Sequence, residues 1–389
     1  MTRLMHGFPP ARDGQVTLAN WRTSPFNRWA FHHVREVVPS ADIPNDPAKT
    51  WELPSAPVDL GKLRIDELCD ETDTDGLVIL HRGRIVFERY ANGMTAESPH
   101  ILMSVSKSLL GLLAGVLAAR NAFDPDRLVT DVIPEVRGTA YDGATIRHLL
   151  DMRAGIAFDE DYLATSGPIV AYRKAVNWNP LAPGETPTDL RSFYRELTKS
   201  SGPHGGPFNY VSPNTDLLGW VIERATGQRY VDVMSELLWR PLGAARSAYI
   251  TVDRLGAPRC AGGVCTTVRD LARVGLLLVQ GGARGGTPIV PERWIDDIAH
   301  HGDPAAWAAG NGSEFFPGLP LRYRSKWYVQ DGAAPVLFGF GIHGQFLIVD
   351  RQREIVIAKV SSQAPPIDVD RIAVMMRAVA AIIEFLAHL

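Results

Sequence analysis

Ser104 and Lys107 stand three residues apart in "LMSVSKSLLGLLAG", residues 102–115, at the head of an apolar run. On a helix, residues three apart lie about 60° apart around the axis, whereas adjacent residues lie about 100° apart. Of the serines around the lysine, only Ser104 therefore shares its face. A serine hydroxyl is a weak nucleophile at neutral pH and needs a base within hydrogen-bond reach. A lysine can be that base if burial or a neighbouring cation lowers its pKa. An arginine cannot, and this chain carries seven lysines against 33 arginines, so a lysine in this place asks for a chemical reason. The competing reading makes Ser104 an N-cap and lets Lys107 snorkel to the surface. A lone Ser-x-x-Lys does not decide between them.

The elements that would hold this pair can be read along the chain. Residues 1–60, rich in Pro, Asp and Asn, read as an N-terminal surface arm with little regular structure. "GLVILHRGRIVFERYANG" reads as a β-hairpin turning at Arg82, Gly83 and Arg84, and the Ser-x-x-Lys segment as a buried helix. Helical patterns then predominate, broken by a long Pro- and Gly-rich region from Thr165 to Pro213; loops of that size are usually functional. "TTVRDLARVGLLLVQGG" begins at a capping box of Thr267 and Asp270. "LFGFGIHGQFLIVD" and "EIVIAKVSS" read as paired strands, and the C-terminal segment as an amphipathic helix. Early and late strands must meet across inserted helices, which makes the fold class α+β: an antiparallel sheet flanked by helices. The expected division is a sheet region at 61–135 and 260–389 that carries the Ser-x-x-Lys helix, and a mainly helical region at 136–259 that carries site loops.

Composition narrows the function classes. With 40 basic and 43 acidic residues, a net charge of −3 and no long run of either sign, the chain does not invite nucleic acid or an anionic membrane. No N-terminal secretory pattern and no apolar span of membrane length occur, so a cytoplasmic protein is expected. Cys69, Cys260 and Cys265 give neither a disulfide framework nor zinc-ligand spacing, and no metal site is expected.

Four segments in order, "LMSVSKS", "FNYVSPNTDLLGWVIERATG", "GGVCTTVRDLARVGLLL" and "GIHGQFLIVD", resemble the serine β-lactamase-related hydrolases. That penicillin-recognising group includes carboxylesterases and, nearest in pattern, the nylon-oligomer hydrolases. "FNRWAFHHVREVVPSA" extends the resemblance towards the N-terminus. It implies a β-lactamase/DD-peptidase-like fold, with Ser104 as nucleophile, Lys107 as its activating partner and Tyr210 as the motif tyrosine. Many relatives have Tyr-x-Asn; here Asn214 follows Tyr210 with two extra residues between. The competing reading leaves Tyr210 as a core tyrosine. The Lys-Thr-Gly triplet of β-lactamases is absent, and "GIHGQ" stands in its place. The resemblance then implies an oxyanion hole from the Ser104 and Ile342 N–H groups, with His343 either at the site edge or structural.

The implied reaction is two-step acyl transfer to water, with a small ester or amide as substrate, no cofactor and a homodimer as the expected assembly. Without the triplet's cation, esters and linear amides rank above β-lactams and cell-wall peptides. A non-catalytic scaffold of the same fold is the rival from another class. For substrate contacts the expected set is Tyr162 over the site, Arg173 with Lys174 repelling a cationic substrate end or else facing solvent, and Trp327 with Tyr328 as an apolar wall.

Overall fold

A computed structural model describes residues 3–332 and 334–389. Its strands are β1 (Ser40–Ile43), β2 (Thr74–His81), β3 (Arg84–Tyr90), β4 (His100–Ile101), β5 (Ala248–Thr251), β6 (Val264–Thr266), β7 (Leu321–Arg324), β8 (Trp327–Gln330), β9 (Val336–Gly341), β10 (Gln345–Asp350) and β11 (Ile355–Ser361), beside a two-residue ribbon at Ala283–Arg284 and Thr287–Pro288. Seven of these form an antiparallel sheet in the order β3-β2-β11-β10-β9-β8-β7, so early and late strands do meet. A smaller sheet has the order β1-β5-β6-β4.

The large sheet is covered on both faces, and every residue of β2, β10 and β11 is buried. Val78, Leu80, Leu347, Val349, Val356 and Ala358 join one apolar cluster; Leu77, Ile79, Phe346, Ile348, Ile355 and Ile357 join the other. Neighbouring residues point to opposite faces, so a strand buried on both sides reads as a continuous apolar run. The second cluster is closed by the terminal helix Val369–Ala387, which buries Ile372, Met375, Met376, Val379, Ile382 and Leu386 at helical spacing. Asp368 caps it by accepting the Arg371 N–H.

Helix α1 (Val105–Ala119) runs through the first cluster with its residues buried from Val105 to Leu117. Its glycines are contacts. A Cβ on Gly111 would lie 2.1 Å from the Ser325 carbonyl oxygen, and one on Gly115 2.4 Å from the Trp294 ring. Of the capping box expected at Thr267 only the N-cap half forms: the Asp270 N–H is donated to Thr267 Oγ1 at 3.1 Å, while the Asp270 carboxylate accepts the Ala245 and Arg246 N–H groups instead of closing the box.

The N-terminal 60 residues are not a surface arm. They add β1 to the small sheet, bury Trp21, Phe31, Val34, Val38 and Ile43 in the first cluster, and anchor through Asn27 Nδ2, which donates to Ser362 O and Gln363 O at 3.0 Å each. The apolar side chains that do this are spaced irregularly among Pro, Asn and Asp. They follow the contour of a finished core and so carry neither helical nor strand periodicity.

Candidate active site

Strand β4 delivers the chain to Ser104. It pairs with β6, the Leu102 N–H is donated to Val264 O at 2.8 Å, and α1 begins immediately after. Met103, just before the serine, holds φ at 44°, a left-handed conformation in which a Cβ-bearing residue is strained. Ser104 makes no side-chain cap bond, and Lys107 is 1% exposed. Both parts of the competing reading therefore fail. Lys107 Nζ lies 2.7 Å from Ser104 Oγ and 2.7 Å from the Ala261 carbonyl oxygen. The neighbouring serines are structural: Ser106 Oγ accepts the Val264 N–H, and Ser108 Oγ donates to Lys326 O.

Burial pulls the Lys107 ammonium down to about 7; Glu160 and Asp216 oppose that shift, and Arg259 adds to it. In the neutral amine, one N–H goes to Ala261 O and the lone pair is free to face the serine hydroxyl. The Ala261 carbonyl is itself held in place, because its N–H is donated at 2.7 Å to Asp216 Oδ1 and Asp216 is paired with buried Arg259. Asp216 lies on the helix Pro213–Thr226, in a run that sequence pattern reads only as helix.

Tyr210 precedes that helix. Its ring centroid is 4.8 Å from Lys107 Nζ, and its backbone N–H is donated to Asn311 Oδ1 at 3.0 Å. Burial, followed by the neighbouring tyrosines, keeps its phenol well above the usual range, so the hydroxyl stays protonated. Asn214 points elsewhere: it is fully buried and accepts the Tyr141 hydroxyl at 3.0 Å.

The two N–H groups expected as oxyanion donors meet between α1 and the end of β9. Ile342 and Ser104 line one cavity, and neither backbone N–H is donated to another group among the described residues. A Cβ on Gly341 would come within 2.9 Å of Ser104 N and 2.7 Å of Leu102 O, so only glycine lets β9 approach this closely. His343 fixes the turn. Its N–H is donated to Pro366 O at 2.8 Å and its Nδ1 lies 2.7 Å from Gln363 O, while burial pulls the imidazole down to about 4. It is a neutral ring at the edge of the site.

The same cavity is lined by Tyr162, Glu160, Trp178, Arg22, Arg173 and Arg259. Tyr162 Oη donates to Glu160 at 3.1 Å, and Glu160 also accepts the Ser212 N–H at 2.6 Å, which ties the loop to the Tyr210 segment. Two substrate expectations need correction. Arg173 is 8% exposed and faces the site, but its fork donates to the carbonyls of Asp161, Tyr162 and Ala164, and Lys174 is paired with Glu185. Arg173 is thus an anchor of the Tyr162 loop rather than a free repelling charge with Lys174 beside it.

Trp327 and Tyr328 are not an apolar wall of this cavity. Adjacent strand residues point to opposite faces. Trp327 is 0% exposed beneath α1, donating Nε1 to Ser108 O at 3.1 Å. Tyr328 stacks on Phe338 behind Tyr210, with ring centroids 5.1 Å apart. Sequence reasoning missed Glu160, Asp216, Arg259, Asn311 and Arg22, whose partners are remote in the chain or whose segment read as surface. The strained residue beside Ser104, Met103, carries no sequence signal either. Among the described residues no cluster of side chains could hold a metal ion, and no helix is long and apolar enough to cross a membrane.

A Ser-Lys pair at the head of a helix buried against an antiparallel sheet is the arrangement of serine acyl-transfer enzymes built on the penicillin-recognising fold. The family model described as Beta-lactamase matches residues 65–381, and the chain belongs to that family. It is 36% identical to 6-aminohexanoate-dimer hydrolase of Paenarthrobacter ureafaciens over 363 residues, which cover 92% of this chain and 91% of that protein. A match to Esterase EstB of Burkholderia gladioli is 28% identical over 190 residues, 46% of this chain and 45% of the esterase. A solved structure from Bacillus anthracis, provisionally named a 6-aminohexanoate-dimer hydrolase, superposes with a TM-score of 0.87 at 27% identity, covering 98% of this chain and 99% of that one.

Proposed function

We propose that this protein is a serine hydrolase that cleaves carboxylic esters, and linear amides more slowly, through an acyl-enzyme on Ser104. The observation that carries this reading is the fully buried Lys107 amine 2.7 Å from Ser104 Oγ, its pKa pulled down to about 7. At neutral pH a large fraction of such an amine is unprotonated and can take the serine proton.

Ser104 Oγ then bonds to the substrate carbonyl carbon, and the carbonyl oxygen gains negative charge facing the Ser104 and Ile342 N–H groups. The C–O or C–N bond breaks. The leaving oxygen or nitrogen takes back the proton held by Lys107, relayed through the Tyr210 hydroxyl. Water repeats the sequence on the acyl-enzyme, releasing the carboxylic acid and restoring Ser104. The relatives' names, an amide hydrolase and an esterase, support the same reaction class.

The test is hydrolysis of p-nitrophenyl acetate and of the 6-aminohexanoate dimer by wild type and Ser104→Ala. The reading expects ready ester cleavage, slower amide cleavage and loss of both in the variant. Ester turnover that survives Ser104→Ala would overturn it.

A further inference from the structure

The Ser104 cavity shares Tyr162 with two larger spaces whose charges are opposite. One, about 440 Å³, is bounded by Arg22, Arg173, Ile342 and His343, with no carboxylate among the described residues that line it. The other, about 310 Å³, is bounded by Tyr210 together with Asp159, Glu160, Asp161 and Glu314, with no cation among those residues.

Arg22 stands where the Ser104 cavity and the basic space share a wall. Its guanidinium lies 5.6 Å from the ring centroids of Trp21 and Trp178 and donates to Asn179 Oδ1. Its Nε is buried without a partner, and it makes no ion pair among the described residues. The neighbouring arginines differ from it. Arg259 is paired with Asp216, and the fork of Arg173 is committed to loop carbonyls. Burial, then the charges of Arg173 and Arg259, pull the Arg22 guanidinium down to about 9. A guanidinium still charged at pH 7, with unused donors and two cations nearby, is a seat for a planar anion.

The two spaces also orient the substrate. The leaving group must lie beside the group that returns its proton, and Tyr210 lines the acidic space. The acyl chain then runs past Ile342 into the basic one.

We propose that the acyl half of the substrate ends in a carboxylate bound by Arg22, so that the preferred substrates are half-esters and half-amides of short dicarboxylic acids. This rests on Ser104 as the acylated residue. The products are a dicarboxylic acid and an alcohol or amine, and acids on the Tyr210 side disfavour a carboxylate on the leaving half.

The test compares kcat/KM for monomethyl glutarate, its neutral counterpart methyl pentanoate, and 3-acetoxypropanoate, which carries the carboxylate on the alcohol half. The expected result is a preference of at least about tenfold for the glutarate half-ester over methyl pentanoate. 3-Acetoxypropanoate shows no gain over ethyl acetate. In Arg22→Gln the glutarate preference falls to near unity, and in Arg22→Lys, which keeps the charge, part of it returns. Equal rates on the two acyl donors in wild type, or a preference that survives Arg22→Gln, would overturn the proposal. Calorimetric binding of glutarate to Ser104→Ala, with and without Arg22→Lys, reads the subsite without turnover. Tight binding weakened by Arg22→Lys, in a protein whose wild type cleaves no ester, upholds the subsite and refutes the hydrolase reading. Ester cleavage without glutarate binding or preference does the reverse.

Discussion

Replacing Lys107 with methionine should stabilise the protein while destroying its activity, and the stabilisation should shrink as pH rises. An unfolded chain holds the lysine proton up to its ordinary value of 10.5, whereas the folded protein releases it at about 7. Between those values the unfolded state binds more protons, so the lysine's contribution to stability rises with pH. Below pH 7 the full penalty applies: three to four pH units at ~1.4 kcal/mol each, about 5 kcal/mol. Methionine fills the same space without that penalty. It leaves the Ala261 carbonyl without its Lys107 partner, a loss on the order of 1–3 kcal/mol that does not vary with pH. The variant should therefore be more stable than wild type by about 2–4 kcal/mol at pH 6. Wild type should recover about 2.5 kcal/mol of that difference by pH 9. Urea unfolding of both proteins at the two pH values measures this directly, because groups common to both cancel. A stability difference that does not move between pH 6 and pH 9 would refute a depressed lysine and, with it, the argument for a neutral base.

The same titration should appear in turnover: kcat/KM for a neutral ester should be about a tenth of its plateau at pH 6, half at about pH 7 and flat above pH 8, and a profile that falls as pH rises from 6 to 8 would contradict it. Tyr210→Phe should lower kcat by about a hundredfold, the scale of a lost proton-transfer group; an unchanged kcat would return Tyr210 to a packing role. Gly341→Ala places a methyl 2.9 Å from Ser104 N and should lower kcat by about a hundredfold, as loss of an oxyanion donor does. Unaltered kcat would move the oxyanion site away from the end of β9.

What could be read before the structure was whatever is set by neighbours in sequence. The Ser104–Lys107 pair is an i, i+3 relation on one helix, and the Thr267 N-cap and the hairpin at Arg82–Gly83 are equally local. Trp327 and Tyr328 show the opposite case. Their types suited an apolar wall, but only the sheet's orientation tells which face of a strand meets the ligand, and neither residue lines the cavity. Asp216 and Arg259 meet across 43 residues of chain, and nothing in either local pattern marks them as partners. Arg22 was hidden for another reason. A segment without periodicity reads as surface, although its Trp21 is 1% exposed in the core and the next residue faces the site. Arg173 lines the cavity, but its charge alone does not reveal that three loop carbonyls occupy its donors.

The proposed chemistry rests on Ser104 as the nucleophile and on a neutral Lys107 amine that activates it. Labelling by a fluorophosphonate probe, followed by peptide mapping, tests both parts at once. The expected result is a single adduct on Ser104 in wild type, a labelling rate that rises through pH 7, and almost no adduct in Lys107→Arg, whose guanidinium keeps the charge but cannot take the proton. An adduct on another serine, or labelling of Lys107→Arg at the wild-type rate, would contradict it.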